Sequence, residues 1–216
     1  MLWPEPVTEG VASCTRNAIT GCSTSDPNGA DGRLGLESCG EFRVPEASFD
    51  DMSRAPAEIR IAQLAGHPEL LEQVGILRWK EWAYGEKDPA RFIEVSREEA
   101  GDGVTLPLSL VAISSGSAVG VVGLGPIDDE VSTAERAGRS PWILGMVVAK
   151  DARLLGVGRL LLAGLQEVAA ANGHSHTWVA TGREAVGFYR HCGWEPVEEL
   201  RLESTGIPTT ILGKPT

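Results

Sequence analysis

The chain of 216 residues predicts an α/β fold. Three observations carry that expectation. From residue 58 onward, apolar runs of strand length alternate with runs at helical spacing. Two β-rich runs, Leu108 to Ser114 and Ala118 to Leu124, flank Ser115-Gly116-Ser117 as the arms of a hairpin would. Between Trp142 and Leu165 an apolar strand-like run, a glycine-bearing turn and an apolar helix-like run follow one another. The order reads β-α-α-β-β-β-α-β-α-β-β, which belongs to the α/β class on pattern alone.

Each element has its own signal. Ile59, Ile61 and Leu64 predict a short first strand. Pro68 through Tyr84 predicts a helix, with Leu70, Leu71, Val74, Leu77 and Trp82 near helical period. Asp88 and Pro89 open a second helix, Asp as cap and Pro in the first turn. After the hairpin, Asp128 to Ser140 is a polar loop and Trp142 to Ala149 a strand. Val157 to Ala171 is a helix whose inward face holds Leu161, Leu165, Val168 and Ala169, and Asn172-Gly173 ends it as a left-handed cap would. His176 to Ala180 is a strand and Arg183 to Cys192 a helix. Trp194 to Leu200 and Ile207 to Leu212 are closing strands.

Residues 1–51 differ from the rest. They are rich in Gly, Ser, Thr, Asp and Pro, lack apolar periodicity, and hold nine acidic against three basic residues, over half of the chain's net charge of −11. Such a segment cannot bury enough apolar surface to offset its ordering entropy, so it is expected to be a disordered acidic tail. Met52 directly precedes the first regular element. The expectation is that the working polypeptide begins there, residues 1–51 being a misassigned upstream extension, with a genuine regulatory tail as the alternative. Residues 52–216 then form one domain.

The acidic balance argues against nucleic acid, whose phosphates need a basic face. It suits a cationic acceptor such as a polyamine, an aminosugar or a basic peptide, although an acidic surface also serves solubility alone. No apolar run approaches the ~18 residues of a membrane span, and no signal peptide pattern opens the chain. A soluble, cytoplasmic protein with no membrane partner is expected. Cys14, Cys22, Cys39 and Cys192 form no C-x-x-C pair and the four His residues are scattered, so no metal site is expected.

Arg153-Leu154-Leu155-Gly156-Val157-Gly158 lies at the strand–helix junction. A strand, glycine turn and helix aim consecutive backbone N–H groups and the positive helix end at one point, a site for phosphate or pyrophosphate. Glycine admits the close backbone approach, and Arg153 adds a forked cation. No G-K-[ST] follows, which argues against a P-loop nucleotide enzyme. About thirty residues on, Ala185-Val186-Gly187-Phe188-Tyr189-Arg190-His191-Cys192-Gly193-Trp194 reads as a short helix closed by glycine and an aromatic residue.

Together, R-x-x-G-x-G and A-x-x-F-Y-x-x-x-G-W resemble the GNAT N-acetyltransferase superfamily. The resemblance spans roughly residues 58–213 and is strongest from Pro141 to Pro196. It looks closest to small bacterial-type members, with an L-P-x-x-L-V-A strand from Leu106 to Ala112 and a P-W strand start at Pro141 and Trp142. It implies a mixed, mostly antiparallel sheet with about four helices, acetyl-CoA as co-substrate, and transfer of acetyl to an amine. It further implies that the strand before the turn splays from its neighbour, so that Met146 and Val148 offer backbone groups to the pantetheine arm. Residues Arg153 to Gly158 would hold the pyrophosphate. Gly182 stands where the family often has Asn.

Tyr189 is the candidate acid. A departing thiolate belongs to a thiol of pKa about 8.5. A phenol of pKa about 10 lies roughly 1.5 units above it, an uphill transfer of about 2 kcal/mol. The general base is not legible, because the strand Trp142–Ala149 carries no acid; Glu81, Glu86, Asp128 and Asp129 are candidates from loops. Trp79, Trp82 and Tyr84 cluster where the family lines its acceptor pocket and could hold a cationic amine, with core packing favoured for Trp82. The reading is direct transfer from acetyl-CoA to a primary amine of a small molecule or peptide. The alternative is a non-catalytic acyl-CoA sensor. A homodimer is compatible with either.

Deleting residues 1–51 should leave melting temperature and acetyl-CoA affinity nearly unchanged, because that segment lacks apolar periodicity. A melting temperature several degrees lower in the Met52-start protein would show the tail to be part of the fold.

Overall fold

The computed structural model describes residues 58–83 and 85–216. The expectations for residues 1–51, for a start at Met52 and for Tyr84 lie outside the described residues. The elements are β1 (Ile59–Gln63), α1 (Leu71–Trp82), α2 (Ala90–Ala100), β2 (Leu108–Ser114), β3 (Ser117–Gly125), β4 (Trp142–Val148), α3 (Val157–Ala171), β5 (His176–Gly182), α4 (Arg183–His191), β6 (Glu195–Arg201) and β7 (Pro208–Pro215). Their order is the predicted one. One seven-stranded sheet runs β1-β2-β3-β4-β5-β7-β6. Every adjacent pair is antiparallel except β4 with β5.

Boundaries moved for physical reasons. The helix expected from Pro68 begins as a 3₁₀ turn, Pro68–Leu70, before α1 proper. Leu64 leaves β1 and plugs the core from a second 3₁₀ turn, fully buried. Helix α2 begins one residue later than expected: Pro89 is its cap residue, and Asp88 precedes it, its Oδ1 accepting the Ala90 N–H at 2.9 Å. The polar loop 128–140 contains a 3₁₀ turn, Ala134–Arg136. It is tied to β6, where Glu198 receives Arg136 and Arg139.

The sheet is covered on both faces, and the period of two sorts its residues. Leu110, Ala112, Val122 and Leu124 join Leu161, Leu162 and Leu165 of α3 in one core. Val111, Ile113 and Val121 join Leu70 and Val74 in the other, on the α1 side. Both faces of β2 are therefore apolar, as a doubly covered central strand requires. Of the inward face predicted for α3, Leu161, Leu165 and Ala169 are fully buried and Val168 packs at the margin. Its end is a Schellman closure: the N–H of His174 bonds the carbonyl of Ala169 at 3.1 Å and that of Gly173 the carbonyl of Ala170 at 2.9 Å.

Helices α1 and α2 meet at Gly75. A Cβ at this position would stand 2.6 Å from Ile93 Cα and 2.8 Å from its backbone nitrogen. Backbone cannot yield as a side-chain tip can, so Gly75→Ala must part the helices. The overpacking cost of about 1–3 kcal/mol exceeds the ~1 kcal/mol that alanine returns as helix propensity. Chemical denaturation should show lower stability for Gly75→Ala; an equal or higher midpoint would refute the contact.

Candidate active site

Strand β4 holds one residue too many. Against β3, Val147 faces Val121 and Leu144 faces Gly123, so three steps on β4 match two on β3. The surplus falls at Gly145 and Met146, which have no partner in the β3 register. Gly145 has φ +50°, the left-handed backbone that a bulge needs and that glycine supplies. On the other side, β4 is in register with β5 only at Trp142↔Trp178. The two parallel strands diverge beyond that point. Met146 and Val148, the residues expected to meet a pantetheine arm, lie along the divergent edge.

The chain leaves β4 through the 3₁₀ turn Lys150–Ala152 and enters α3 at Val157. Leu154 has φ +66° and Gly156 φ +82°, and Gly156 is the N-terminal cap of α3. No side chain caps this end, so the N–H groups of the first turn have no acceptor within the helix. Leu154 and Leu155 turn their side chains to solvent. That is an unfavourable place for leucine, and it leaves the turn's backbone rather than its side chains to meet a ligand.

Arg153 sits at the turn but points away from it. Its Nε donates to the Val148 carbonyl at 3.0 Å, and its Nη2 donates to Glu81 Oε2 at 2.7 Å. Both side chains of this pair are over a third exposed or close to it, at 42 % and 33 %. Such an ion pair is worth roughly 0–1 kcal/mol, so exchange for another partner is inexpensive.

Tyr189 reaches the same opening from α4. Its hydroxyl donates to Met146 Sδ at 3.6 Å. The ring is buried, edge-on to Trp194 with centroids 6.0 Å apart. The end of α4 fixes that pairing: the Trp194 N–H bonds the Tyr189 carbonyl and the Gly193 N–H bonds that of Arg190, each at 3.0 Å. Burial pushes the Tyr189 phenol well above its ordinary value, with the Cys192 thiol beside it adding to the rise. Gly158 closes the group. A Cβ there would lie 3.0 Å from Phe188 Cζ and 3.1 Å from Met146 Cε, so glycine lets α3, α4 and β4 meet without displacing these side-chain tips.

The structure thus brings Met146, Val148, the turn from Arg153 to Gly158 and Tyr189 to one opening. It disperses the candidate bases. Glu81 is engaged by Arg153, Glu86 is exposed with its carbonyl taken by Trp79 Nε1, and Asp128 and Asp129 lie in the loop after β3. Trp82 packs into the α1-side core as favoured from the sequence, while Trp79 is half-buried. His176 is a strand residue stacked on Trp178. Sequence reasoning missed three features. The bulge at Gly145 could have been suspected from a lone glycine inside a strand. A groove between α3 and the end of α4, lined by Gly156, Arg159, His191, Cys192 and Lys214, continues from the turn with cationic side chains. Arg78 and Glu99, buried behind β4, carried no local signal at all.

Residues 71–194 match the pattern of the acetyltransferase (GNAT) family. The chain belongs to the GNAT acetyltransferase family. No curated protein sequence matches it. Among solved structures, this GNAT chain is similar to an aminoglycoside 6'-N-acetyltransferase complexed with coenzyme A, at 16 % identity and TM-score 0.59, over 72 % of this chain and 96 % of that one. It is likewise similar to the aminoglycoside 6'-N-acetyltransferase from Enterococcus faecium, at 17 % identity and TM-score 0.56, over 72 % and 96 %. Ard1 from Thermoplasma volcanium aligns at 17 % identity and TM-score 0.54, over 73 % and 97 %. At such identities the likeness speaks to the GNAT fold. No described helix is long and apolar enough to cross a membrane.

The buried phenol makes a pH prediction. An unfolded tyrosine ionises near pH 10, whereas the folded Tyr189 holds its proton to higher pH. Above that pH the unfolded state binds fewer protons than the folded state, so stability falls as pH rises. Denaturation midpoints measured from about pH 9 to 11 should fall more steeply for the parent than for Tyr189→Phe. Parallel curves would place the phenol in water.

Proposed function

We propose that this GNAT protein is a cytoplasmic N-acetyltransferase that transfers acetyl directly from acetyl-CoA to a primary amine of a small molecule or peptide. The observation that carries the reading is the meeting of Tyr189 with Met146 on the divergent edge of β4, one turn before the glycine cap of α3. In this reading backbone groups of Met146 and Val148 bind the pantetheine arm. The N–H groups from Leu154 to Gly158 receive the pyrophosphate, and Arg153 exchanges Glu81 and the Val148 carbonyl for phosphate. The groove at Arg159 and Lys214 gives the remaining anionic part of coenzyme A a cationic path.

The amine nitrogen attacks the thioester carbonyl carbon and its electron pair moves to oxygen. The C–S bond then breaks, the sulfur leaves as thiolate, and the Tyr189 hydroxyl gives it a proton. The amine sheds its own proton to water or a carboxylate. The acidic balance of the chain favours a cationic acceptor.

The experiment is coenzyme A release from acetyl-CoA with a panel of polyamines, aminosugars and peptide N-termini, alongside calorimetric titration of acetyl-CoA. Gly156→Asp has room for its side chain but not for its backbone, since φ is +82° and nothing lies within 4 Å. It adds negative charge at the turn. Affinity should fall by about ten- to a hundredfold, the loss of a charge-assisted contact. Tyr189→Phe should lower the maximal rate roughly 10²–10⁴-fold while acetyl-CoA affinity changes little. Tight binding of acetyl-CoA with no thiol released by any amine would favour the sensor reading. A Tyr189→Phe rate within about threefold of the parent would remove the acid from this scheme.

A further inference from the structure

Arg78 of α1 is among the largest fully buried side chains of the protein. Its Nη1 donates to Ser96 Oγ at 3.2 Å, and Ser96 Oγ donates onward to the Phe92 carbonyl at 2.7 Å. Its Nη2 stands 2.8 Å from Glu99 Oε2, an ion pair by distance, with the Glu99 side chain 12 % exposed. The angle is not that of a hydrogen bond, and Nε has no hydrogen-bond partner either. Burying two charges with polar atoms left over costs more than filling the same space with apolar side chains. Packing alone therefore does not account for the pair.

Its position does. A Cβ at Gly145 would lie 3.2 Å from Arg78 Nη2 and 3.4 Å from both Cζ and Nε, so the guanidinium lies flat against the bulge. A Cβ at Gly123 would lie 3.3 Å from Glu99 Oε2. The pair is thus an oriented dipole, with its positive end on the surplus residues of β4 and its negative end on β3. Tyr189 touches Met146 beside that same bulge.

We propose that Arg78 is a positioning residue for acetyl transfer. It holds the Gly145–Met146 bulge in the conformation that presents backbone N–H to the thioester carbonyl, and its charge favours the electron pair that moves onto that oxygen when the amine attacks. The electrons return as the C–S bond breaks and the thiolate takes its proton, so the guanidinium exchanges no proton and forms no bond. A fixed charge behind a preorganised backbone donor acts strongly because the guanidinium is fully buried and need not reorient. This rests on the reading that acetyl-CoA lies in the β4–β5 opening.

The test uses the full chain. Arg78→Met alone leaves Glu99 buried without its partner and should lower the melting temperature. Arg78→Met/Glu99→Met removes both charges and should melt at or above the parent. In that double variant kcat should fall roughly 10- to 100-fold, with the acetyl-CoA KM and calorimetric affinity within about threefold. Arg78→Lys, which keeps the charge but not the flat face, should be intermediate. Infrared spectra of bound acetyl-CoA labelled with ¹³C at the carbonyl give a readout that needs no acceptor. The parent should shift the band below its solution frequency, and the double variant should return it. A stable double variant with parental kcat or a parental band overturns the proposal. So does a double variant that cannot fold, since the pair would then serve the fold. If the parent itself binds no acetyl-CoA by calorimetry, the functional reading fails first and this inference with it.

Discussion

One surplus residue in β4 governs the architecture around the site. Because Gly145 and Met146 have no counterpart in β3, the strand turns, and β5 stays in register with it only at Trp142↔Trp178. A parallel ladder would normally satisfy the backbone groups on that edge. Unpaired polar backbone in an interior costs free energy comparable to a lost hydrogen bond. The opening is therefore a place where the fold keeps hydrogen-bonding capacity in reserve, and the surrounding elements hold it open. Helix α3 is drawn in by Gly158, α4 inserts Phe188 and Tyr189, and α1 lays Arg78 behind the bulge. Even the Arg153 guanidinium serves this edge, by occupying the Val148 carbonyl.

The charged contacts around β4 differ in what they can do because they differ in exposure. Arg153–Glu81 faces water, so its strength is small and its partners are exchangeable. Arg78–Glu99 is largely buried, with Arg78 fully enclosed and the Glu99 side chain 12 % exposed, so its partners are fixed and removing one is severe. The Arg136–Glu198–Arg139 group lies between these, tying the loop before β4 to β6. Hydrogen bonds from the two arginines hold the Glu198 carboxyl down to about 2. A depressed carboxylate of this kind stabilises the folded state at neutral pH and loses that contribution as pH falls toward its folded value. The start of β4 is thus secured at its outer end by an acid-sensitive clamp, while its bulge is backed by a pair largely shielded from solvent.

The element order was legible because it rests on local periodicity. Leu161, Leu165 and Ala169 announce the inner face of α3, and the alternation through β2 and β3 sorts onto two cores. The turn from Arg153 to Gly158 was legible for the same reason, since strand, glycine and helix are neighbours in the chain. What the sequence hid is what depends on long-range register. Gly145 looks like any strand glycine until β3 is laid beside it. Arg78 and Glu99 sit at ordinary helical positions, and only the packing of α1 and α2 under β4 encloses the first and largely covers the second. Arg153 reads as a phosphate ligand from its place in the turn, yet its partner Glu81 lies 72 residues away in the chain. The boundaries of α1 shifted because Pro68 favours a tight first turn over a full helical one.

Burial of Tyr189 looks at first like an obstacle to its proposed role, because a phenol whose ionisation is suppressed is a weaker acid. The comparison that matters is with the group it would protonate. A proton moves according to the difference between donor and acceptor in the same surroundings, and desolvation penalises every anion there. Cys192 is an internal gauge of this: its thiol, next to Tyr189, is also pushed up by burial, even with Arg159 and Lys214 pulling the other way. In the proposed reaction a thiolate released beside Met146, itself half-buried, is partly desolvated as well. It becomes more basic as the phenol becomes less acidic, and the gap between them stays within reach of a positioned transfer. Burial of the phenol offers a second benefit. A phenol that keeps its proton at all working pH values is always in the donor form, and the full burial of Arg78 sharpens the field of the charge held behind the strand. The features that make Tyr189 an unremarkable core residue are those that would suit it to the proposed role beside Met146.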